Sequence, residues 1–237
     1  LVGCFDPHCA GQVVSCADGD FACSDDLGAL IDATGADVVV DFTQPGAVLA
    51  NVECVLSHGA HAVVGTTGVA RQDMEALALK YADKGGKLFF APNFTTGAVL
   101  MMQFAKVAGK FFPDVEIVEM HHDGKKDAPS GTAVTTARMI AEGRGGVRNA
   151  GPGSETEIAG CEGARGAEVD GVRIHAIRGD GSMASQEVIM SAAGQTLTIR
   201  HDSTLREAYM PGVLLAIRNI ASLPEPFTVG LECLMGL

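Results

Sequence analysis

The chain has 237 residues, of which 47% are hydrophobic and 19% charged, and its formal net charge is −12. This length and composition favour a globular protein with one large or two modest cores and argue against a disordered one. No run approaches the roughly 18 apolar residues of a membrane span, no secretory signal pattern is present, and the negative charge opposes nonspecific binding to nucleic-acid phosphates, so we expect a cytoplasmic protein that binds neither membranes nor nucleic acid.

The first part of the chain alternates strand and helix patterns. After an apolar opening, LVGCFD, three short apolar runs predict buried parallel strands: residues 38–42, 61–65 and 87–91. Two segments between these runs have helical periodicity: residues 45–58 and 72–83. Parallel strands with crossover helices bind ligands at their carboxyl ends, so the loops after the strands should line one crevice: residues 41–45, 65–68 and 91–94.

The start of the chain departs from an ordinary dinucleotide-binding fold. Such a fold opens with a strand and a Gly-rich GxxGxxG turn that holds the pyrophosphate, and no such turn lies near the start of this sequence. LVGCFD looks instead like the second strand, with Asp6 in the place of the acidic residue that holds the adenine ribose. We therefore expect about 25 to 30 residues to be missing ahead of Leu1.

Four of the seven cysteines lie close together in this first part, at positions 4, 9, 16 and 23. The total is odd and none of these four forms a Cys-x-x-Cys pair, so the pattern favours neither a disulfide framework nor a zinc or iron–sulfur site. We expect free thiols in a reducing compartment and no bound metal.

The residues from Glu119 to Ala133, EMHHDGKKDAPSGTA, should join a strand to a helix. Residues 116–120 are apolar enough for a buried strand end, and Ser130 is a suitable N-cap for a helix that starts at Thr132. A helix N-terminus offers unpaired N–H groups and a partial positive charge, and Gly131 has no side chain to block an anion. A phosphate or a carboxylate would fit at this position.

The histidines and lysines of the same stretch indicate proton transfer beside that anion. His121 and His122 titrate near neutral pH, while Lys125 and Lys126 supply fixed positive charge. The alternative is that the histidines bond to the backbone and the lysines are solvated loop charges. The capped Ser-Gly-Thr turn that follows favours the site.

The later part of the chain has a different pattern. Three segments alternate apolar and polar residues, as half-exposed antiparallel strands do: residues 171–178, 186–190 and 195–200. They predict a second, α+β domain with a mixed or antiparallel sheet that carries the helix after Ser130 on one face. A helix around residues 211–221 and a strand near 227–231 should return to the first domain.

The stretch from Glu119 to Ala133 resembles the signature of the bacterial dihydrodipicolinate reductase family. Four other segments resemble that family in the same order and at similar spacing: VVVDFTQPGAV (38–48), HAVVGTTG (61–68), FAPNFTTGAVLM (90–101) and LTIRHDS…PGVLLAIR (197–218). The resemblance covers essentially the whole chain. The HH…K…DAPSGTA motif is specific, whereas GTTG alone would be weak.

The resemblance implies a Rossmann-like nucleotide domain, residues 1–94 and 205–237, and a substrate-binding and tetramerisation domain, residues 95–204. It implies NAD(P)H-dependent reduction of 4-hydroxy-tetrahydrodipicolinate in diaminopimelate and lysine biosynthesis by a homotetramer. In the family's pattern His121 is the proton donor, Lys125 is the second catalytic residue, and three residues bind the substrate: His122, Gly131 and Thr132. Eight residues contact the cofactor: Asp6, Gly65, Thr66, Thr67, Ala91, Pro92, Asn93 and Phe94.

Some positions differ from the family's pattern. Pro7 and His8 follow Asp6, where enzymes that bind the 2′-phosphate of NADPH usually carry an arginine, so we expect NADH to be used at least as well as NADPH. Asp123 and Gly124 replace more basic residues, which bears on substrate affinity. Lys126 matches no catalytic position, and we interpret it as a solvated charge.

Two alternative functions remain open from the sequence alone. Other two-domain dehydrogenases of amino-acid pathways share this domain order, and fold alone does not separate them. They generally use a nucleophilic cysteine or a lysine–aspartate pair, and no cysteine lies between His121 and Thr132. A chain without the Gly-rich turn could also be an inactive oligomerisation module.

Overall fold

The computed structural model describes residues 1–146, 158–161 and 163–237. In chain order its strands are β1 Cys4–Phe5, β2 Val13–Cys16, β3 Gly19–Ser24, β4 Val38–Asp41, β5 His61–Val64, β6 Leu88–Phe90, β7 Asp114–His121, β8 Ala167–Val169, β9 Val172–Arg178, β10 Ala184–Ala192, β11 Gln195–Ser203 and β12 Phe227–Val229. Its α-helices are α1 Leu27–Thr34, α2 Val48–Ser57, α3 Arg71–Lys80, α4 Thr96–Ala108, α5 Gly131–Gly143, α6 Met210–Asn219 and α7 Glu232–Met235.

The chain divides into two compact units. The first unit comprises Leu1–Phe94 and Pro211–Gly236, and the second comprises Thr95–Met210 and Leu237. The division falls inside α6, because only the part of this helix from Pro211 onward belongs to the first unit.

The first unit contains the predicted parallel sheet. Its strands lie in the order β12-β6-β5-β4, and every neighbouring pair is parallel. The predicted segments 38–42, 61–65 and 87–91 form β4, β5 and β6, and α2 and α3 lie between them in the chain. Buried residues of α2, α3 and the sheet form one apolar core, which includes Val52, Val55, Leu56, Met74 and Leu88.

The opening segment LVGCFD forms a strand, but only at Cys4–Phe5 and outside that parallel sheet. It pairs in parallel with β3, which forms an antiparallel hairpin with β2, so β1, β3 and β2 make a separate three-stranded sheet. The following helix α1 has clear end signals. The Asp26 carboxylate accepts a hydrogen bond from Ala29 N (2.9 Å), and Gly35 ends the helix in the left-handed region with φ 63°.

The second unit is built on a mixed five-stranded sheet in the order β11-β10-β7-β9-β8. Central β7 is antiparallel to β10, but it is parallel to β9. The predicted mixed or antiparallel sheet is therefore a mixed one, because β9 is parallel to β7 and antiparallel to β8. The alternating pattern reports one buried face and not strand direction, which here follows from a crossover that contains α5.

The predicted helix after Ser130 is α5, and it packs on one face of this sheet against β7, β8 and β9. Side chains of that face are buried, among them Ile117, Ile174 and Val188. The chain then returns to the first unit, where β12 pairs with β6. Within the described ranges, no helix is long and apolar enough to cross a membrane.

Candidate active site

Strand β7 brings Glu119 and His121 to the same edge of the second unit. Side chains on a strand alternate between faces, and Val115, Ile117 and Glu119 all point to the buried face. Glu119 is fully buried, whereas the His121 side chain is 15% exposed at the end of the strand. Because His121 ends the strand, its imidazole stays accessible to a ligand, whereas Glu119 on the same face is enclosed.

The Glu119 carboxylate is held by three different parts of the chain. Arg178, the last residue of β9, donates from Nη1 to Oε2 (3.0 Å) and from Nη2 to Oε1 (2.9 Å). Ser130 donates its backbone N–H to Oε1 (3.1 Å), and His121 Nδ1 lies 2.5 Å from Oε2. A strand end, a neighbouring strand and the start of a helix thus meet at one carboxylate.

Burial and charge act in opposite directions on this carboxylate. Burial alone would raise the pKa of Glu119, but the hydrogen bonds from Arg178 and His121 and their charges hold that pKa below its ordinary value. For His121, burial lowers the pKa and outweighs the raising effect of Glu119, while Lys125 and Arg178 lower it further. Glu119 is therefore ionised at neutral pH, and His121 is more readily deprotonated than an exposed histidine.

Helix α5 begins next to this cluster, as the Ser-Gly-Thr pattern predicted. Ser130 is its N-cap, and the Ser130 hydroxyl accepts a hydrogen bond from Ala133 N (3.2 Å). An added Cβ at Gly131 would have no atom within 4 Å, so the space beside the first turn is open. The N-terminal N–H groups and partial positive charge of the helix can accept an anion there.

The loop between β7 and α5 carries the remaining predicted residues. Lys125 Nζ lies 2.7 Å from Asp127 Oδ1, and this hydrogen bond to Lys125 is the main reason that the pKa of Asp127 is lowered. Arg178 Nη2 also donates to the Asp127 carbonyl (2.7 Å), so the loop is fixed to the same arginine as Glu119. His122 and Lys126 are exposed on this loop, and the Ala128–Pro129 peptide bond is cis.

In the first unit, the turns after β4, β5 and β6 converge. Asp41 Oδ1 accepts hydrogen bonds from Thr66 Oγ1 (2.7 Å), Thr43 N (3.0 Å) and Thr43 Oγ1 (2.9 Å), and Oδ2 accepts from Asn51 (2.8 Å). The Phe42 ring covers Gly65 and packs edge-on against Phe94, with 5.7 Å between ring centroids. The three loops therefore line one edge of the sheet, with Thr67 and Pro92 exposed.

Asp6 lies at the carboxyl end of β1, in the smaller sheet. Its side chain is exposed, and Oδ1 accepts a hydrogen bond from His8 N (2.9 Å). All seven cysteines are free thiols. Among the described residues, no group of three or more His, Cys, Asp or Glu side chains could hold a metal ion.

Comparison with known protein families gives a match for each half of the chain. Residues 1–94 match "Dihydrodipicolinate reductase, N-terminus", and residues 97–235 match "Dihydrodipicolinate reductase, C-terminus". The chain belongs to the dihydrodipicolinate reductase family. The predicted family, the two-domain fold and the class of NAD(P)H-dependent oxidoreductase are thereby confirmed.

Individual dihydrodipicolinate reductases agree with this placement. Two relatives are named 4-hydroxy-tetrahydrodipicolinate reductase: one from Mycolicibacterium smegmatis is 49% identical over 90% of this chain and 85% of its own length, and one from Thermobifida fusca is 51% identical over 85% and 82%. The solved structure of a dipicolinate-bound dihydrodipicolinate reductase from Paenisporosarcina sp. TG-14 superposes with a TM-score of 0.83 at 37% identity, covering 98% of this chain and 88% of that one.

An amine dehydrogenase from Mycobacterium smegmatis shares the fold alone, with a TM-score of 0.59 at 15% identity. The family match therefore decides against the other two-domain dehydrogenases that the sequence alone left open. A dihydrodipicolinate reductase fold also accounts for the observed division into a parallel-sheet unit and a mixed-sheet unit.

Within this dihydrodipicolinate reductase site, the sequence reasoning assigned no role to Glu119 and missed Arg178. Glu119 carried a usable signal, because it is a charged residue in an apolar strand and lies two positions before His121, on the same face. Arg178 carried no such signal. It reaches the site only because β9 runs parallel to β7 in the register that places Arg178 opposite His121. The predicted His121, Lys125, Gly131 and Thr132 do lie around one loop and one helix start.

Proposed function

We propose that this chain reduces 4-hydroxy-tetrahydrodipicolinate to tetrahydrodipicolinate with NADH or NADPH, a step of diaminopimelate and lysine biosynthesis. The observation that carries the proposal is the pairing of His121 with the start of α5 through Glu119, in a chain about half identical to enzymes named for this reaction. A proton donor and an anion site are then held by one buried carboxylate.

We assign cofactor binding to the first unit. Its parallel strands end in turns of small or exposed residues, and Gly65 has no room for a side chain because the Phe42 ring lies where a Cβ would be. This edge fits an extended dinucleotide. The residues that would hold the cofactor are Asp6, Gly65, Thr66, Thr67, Ala91, Pro92, Asn93 and Phe94. When bound, the reduced nicotinamide supplies the hydride of the reduction.

The cofactor preference follows from Asp6. An exposed carboxylate suits the two hydroxyls of the adenine ribose in NADH and repels the 2′-phosphate of NADPH. Pro7 and His8 follow it without an arginine. We therefore propose that NADH is used at least as well as NADPH. Equal or better catalytic efficiency with NADH is the expected result, and a strong preference for NADPH would contradict it.

We assign substrate binding to the second unit. One carboxylate of the substrate binds beside Gly131 and Thr132 at the N-terminus of α5, where a Cβ added at Gly131 would meet no atom within 4 Å. His122 is exposed on the adjoining loop and contacts the same molecule. The solved relative contains dipicolinate, a planar dicarboxylate, which supports a dicarboxylate site of this kind.

His121 is the proposed proton donor and Lys125 its partner in catalysis. The reduction needs a proton at the atom that gains electron density, and an imidazole that is partly exposed and bonded through Nδ1 can deliver one from Nε2. Lys125 supplies positive charge to a carboxylate or to the ring nitrogen. Its ammonium group bonds to Asp127, which keeps it close to the loop until the substrate arrives.

A homotetramer and a cytoplasmic location complete the proposal. The sheet of the second unit has helix α5 on one face, while Met120 and Ile177 are register partners on the opposite face. Ile177 is 47% exposed, and a cavity of about 500 Å³ opens beside both residues. Exposed apolar side chains on a sheet face suit pairing with other copies of the chain. Free thiols suit a reducing compartment.

The direct test is a coupled assay. Dihydrodipicolinate synthase generates the substrate from pyruvate and aspartate semialdehyde, and the loss of reduced nicotinamide absorbance is followed with and without the chain. Oxidation of NADH only when the synthase product is present supports the proposal. No oxidation by a folded chain, or equal oxidation with unrelated imines and ketones, would reject it.

A further inference from the structure

We propose that Glu119 and Arg178 are positioning residues, which together fix the tautomer and orientation of His121 and connect it to the substrate-binding helix. The inference deepens the proposed function, since it rests on His121 being the proton donor. Neither residue contacts the substrate in this proposal. Both act through the imidazole.

The first step is the geometry of the imidazole. Glu119 Oε2 lies 2.5 Å from Nδ1 of His121, so a carboxylate in that place accepts the Nδ1 proton. A neutral imidazole carries one N–H, and the acceptor at Nδ1 selects the Nδ1–H tautomer. Nε2 is then the atom that gains and gives up the second proton. Without Glu119, both nitrogens would compete for the single proton.

The second step is the state of the carboxylate. Glu119 is fully buried, and an unpaired carboxylate there would take up a proton to avoid the cost of desolvation. The two hydrogen bonds from Arg178 keep it charged and fix the plane of the carboxylate. Arg178 therefore decides whether Glu119 can accept the Nδ1 proton, although the guanidinium does not itself bond to the imidazole ring.

The third step is the connection to the substrate site. The same Glu119 accepts the N–H of Ser130, the N-cap of α5, and the same Arg178 donates to the carbonyl of Asp127, the partner of Lys125. The imidazole, the helix start and the lysine loop are thus held to one charged pair. Movement of this pair would displace all three together.

The first experiment reads the tautomer directly. In the ¹⁵N-labelled protein, two-bond ¹H–¹⁵N correlations of His121 report which ring nitrogen carries the proton. We expect the Nδ1–H tautomer in the wild type, and a mixture of tautomers with a further lowered pKa in Glu119→Gln. The charged groups that face His121 are Glu119, Lys125 and Arg178, and only the first is removed. An Nε2–H tautomer in the wild type would overturn the proposal, even if the variant failed to fold.

The second experiment uses turnover and requires the proposed activity. We expect Glu119→Gln to lower kcat by about 10- to 1,000-fold. This is less than the roughly 10⁴-fold loss of kcat seen when the orienting carboxylate of a Ser-His-Asp triad is replaced by an amide. KM should change little, because the amide oxygen of the introduced glutamine can still accept the Ser130 N–H that holds the helix start. In a His121→Gln background the same change should cost nothing more, because a positioning residue has no effect without the group it positions. Equal losses in both backgrounds would overturn the proposal.

A matched pair lies on the same sheet. Glu116 Oε2 lies 2.7 Å from Nε2 of His175. This second glutamate–histidine pair joins β7 to β9 away from the start of α5. Glu116→Gln should leave kcat and the His121 tautomer unchanged.

Arg178→Lys keeps the charge but loses the two-point contact, and we expect an intermediate loss of kcat. Wild-type kcat in a folded Arg178→Lys variant would remove Arg178 from the proposed pair. If the chain lacks the proposed activity altogether, the tautomer measurement still tests whether Glu119 fixes the tautomer of His121.

Discussion

Thr66 donates a 2.7 Å hydrogen bond from Oγ1 to Oδ1 of Asp41, and this contact joins the ends of two adjacent parallel strands. Asp41 and Thr66 are both buried, so the bond is shielded from water. The turns after β4 and β5 are therefore coupled through this hydrogen bond. A change in either turn should disturb the whole proposed cofactor edge.

Gly65→Ala should weaken cofactor binding. An added Cβ would lie 2.1 Å from Cε1 of Phe42, so the ring must swing away from this edge. We expect a several-fold higher KM for NADH and little change in the free energy of unfolding, because Phe42 is 51% exposed and its ring can move. Gly46→Ala is the control, because an added Cβ there has no atom within 4 Å. The same KM for NADH in both variants would contradict the prediction.

His121→Gln should lower kcat by roughly 10²- to 10⁴-fold, the range for loss of a general acid. The substrate KM should change much less, since the helix start and His122 remain. Steady-state kinetics of the folded variant measure both constants. His175→Gln, a histidine in a similar pair with Glu116, should keep wild-type turnover. A loss below about threefold would exclude His121 from proton donation.

Lys125→Ala should reduce kcat/KM strongly, whereas Lys126→Ala should change it less than about twofold, because an exposed charge acts only through a screened field. Lys125 is the lysine that bonds to Asp127, while Lys126 is exposed on the same loop. The neighbouring variants differ by one position and carry the same charge change. Equal losses would mean that net charge matters and not the position of the ammonium group.

Ser130→Ala should destabilise the second unit and raise the substrate KM. The hydroxyl caps α5 by accepting from Ala133 N, and loss of such a cap costs about 0.5–2 kcal/mol. Denaturant unfolding measures the stability and steady-state kinetics the KM. In Ser57→Ala the lost hydroxyl donates to the Cys54 carbonyl inside α2 and lies 3.4 Å from His58 Nδ1, but it caps no helix N-terminus, so the loss of stability should be smaller and the KM unchanged. Equal effects in both variants would show that the cap is not important.

Glu119→Gln should alter the acid limb of the stability curve. The folded pKa of Glu119 is below its ordinary value, so the unfolded chain binds more protons in acid, and the stability from this carboxylate is present above about pH 4.5 and lost as the pH falls. Breaking a buried pair costs about 3–5 kcal/mol at neutral pH. The difference in unfolding free energy between wild type and variant should therefore shrink towards acid pH.

Several features of the fold follow from local sequence rules. Apolar runs predicted β4, β5 and β6, and the Ser-Gly-Thr pattern predicted the start of α5 within one residue. These are short-range effects of side-chain burial and of backbone capping. Glu119 was within reach of the same rules, because alternation along β7 places it beside His121.

Long-range pairing was not predictable in this way. Arg178 lies 59 positions from Glu119, and the two meet only because β9 runs parallel to β7 in one register. Alternating polarity is the same for parallel and antiparallel strands, so the sequence of β9 could not reveal which end of the strand would reach the site. The separation of β1 from the larger sheet of the first unit was likewise invisible in its apolar composition.

The parallel placement of β9 beside β7 also makes the site a late product of folding. Arg178 and Glu119 are 59 positions apart, so the chain between them must form a loop before the two can meet. Such non-local contacts form slowly. A chain that has formed α5 but has not yet added β9 would hold the Glu119 carboxylate beside His121 without its arginine partner. Recovery of the native histidine resonance during refolding would then mark completion of the sheet.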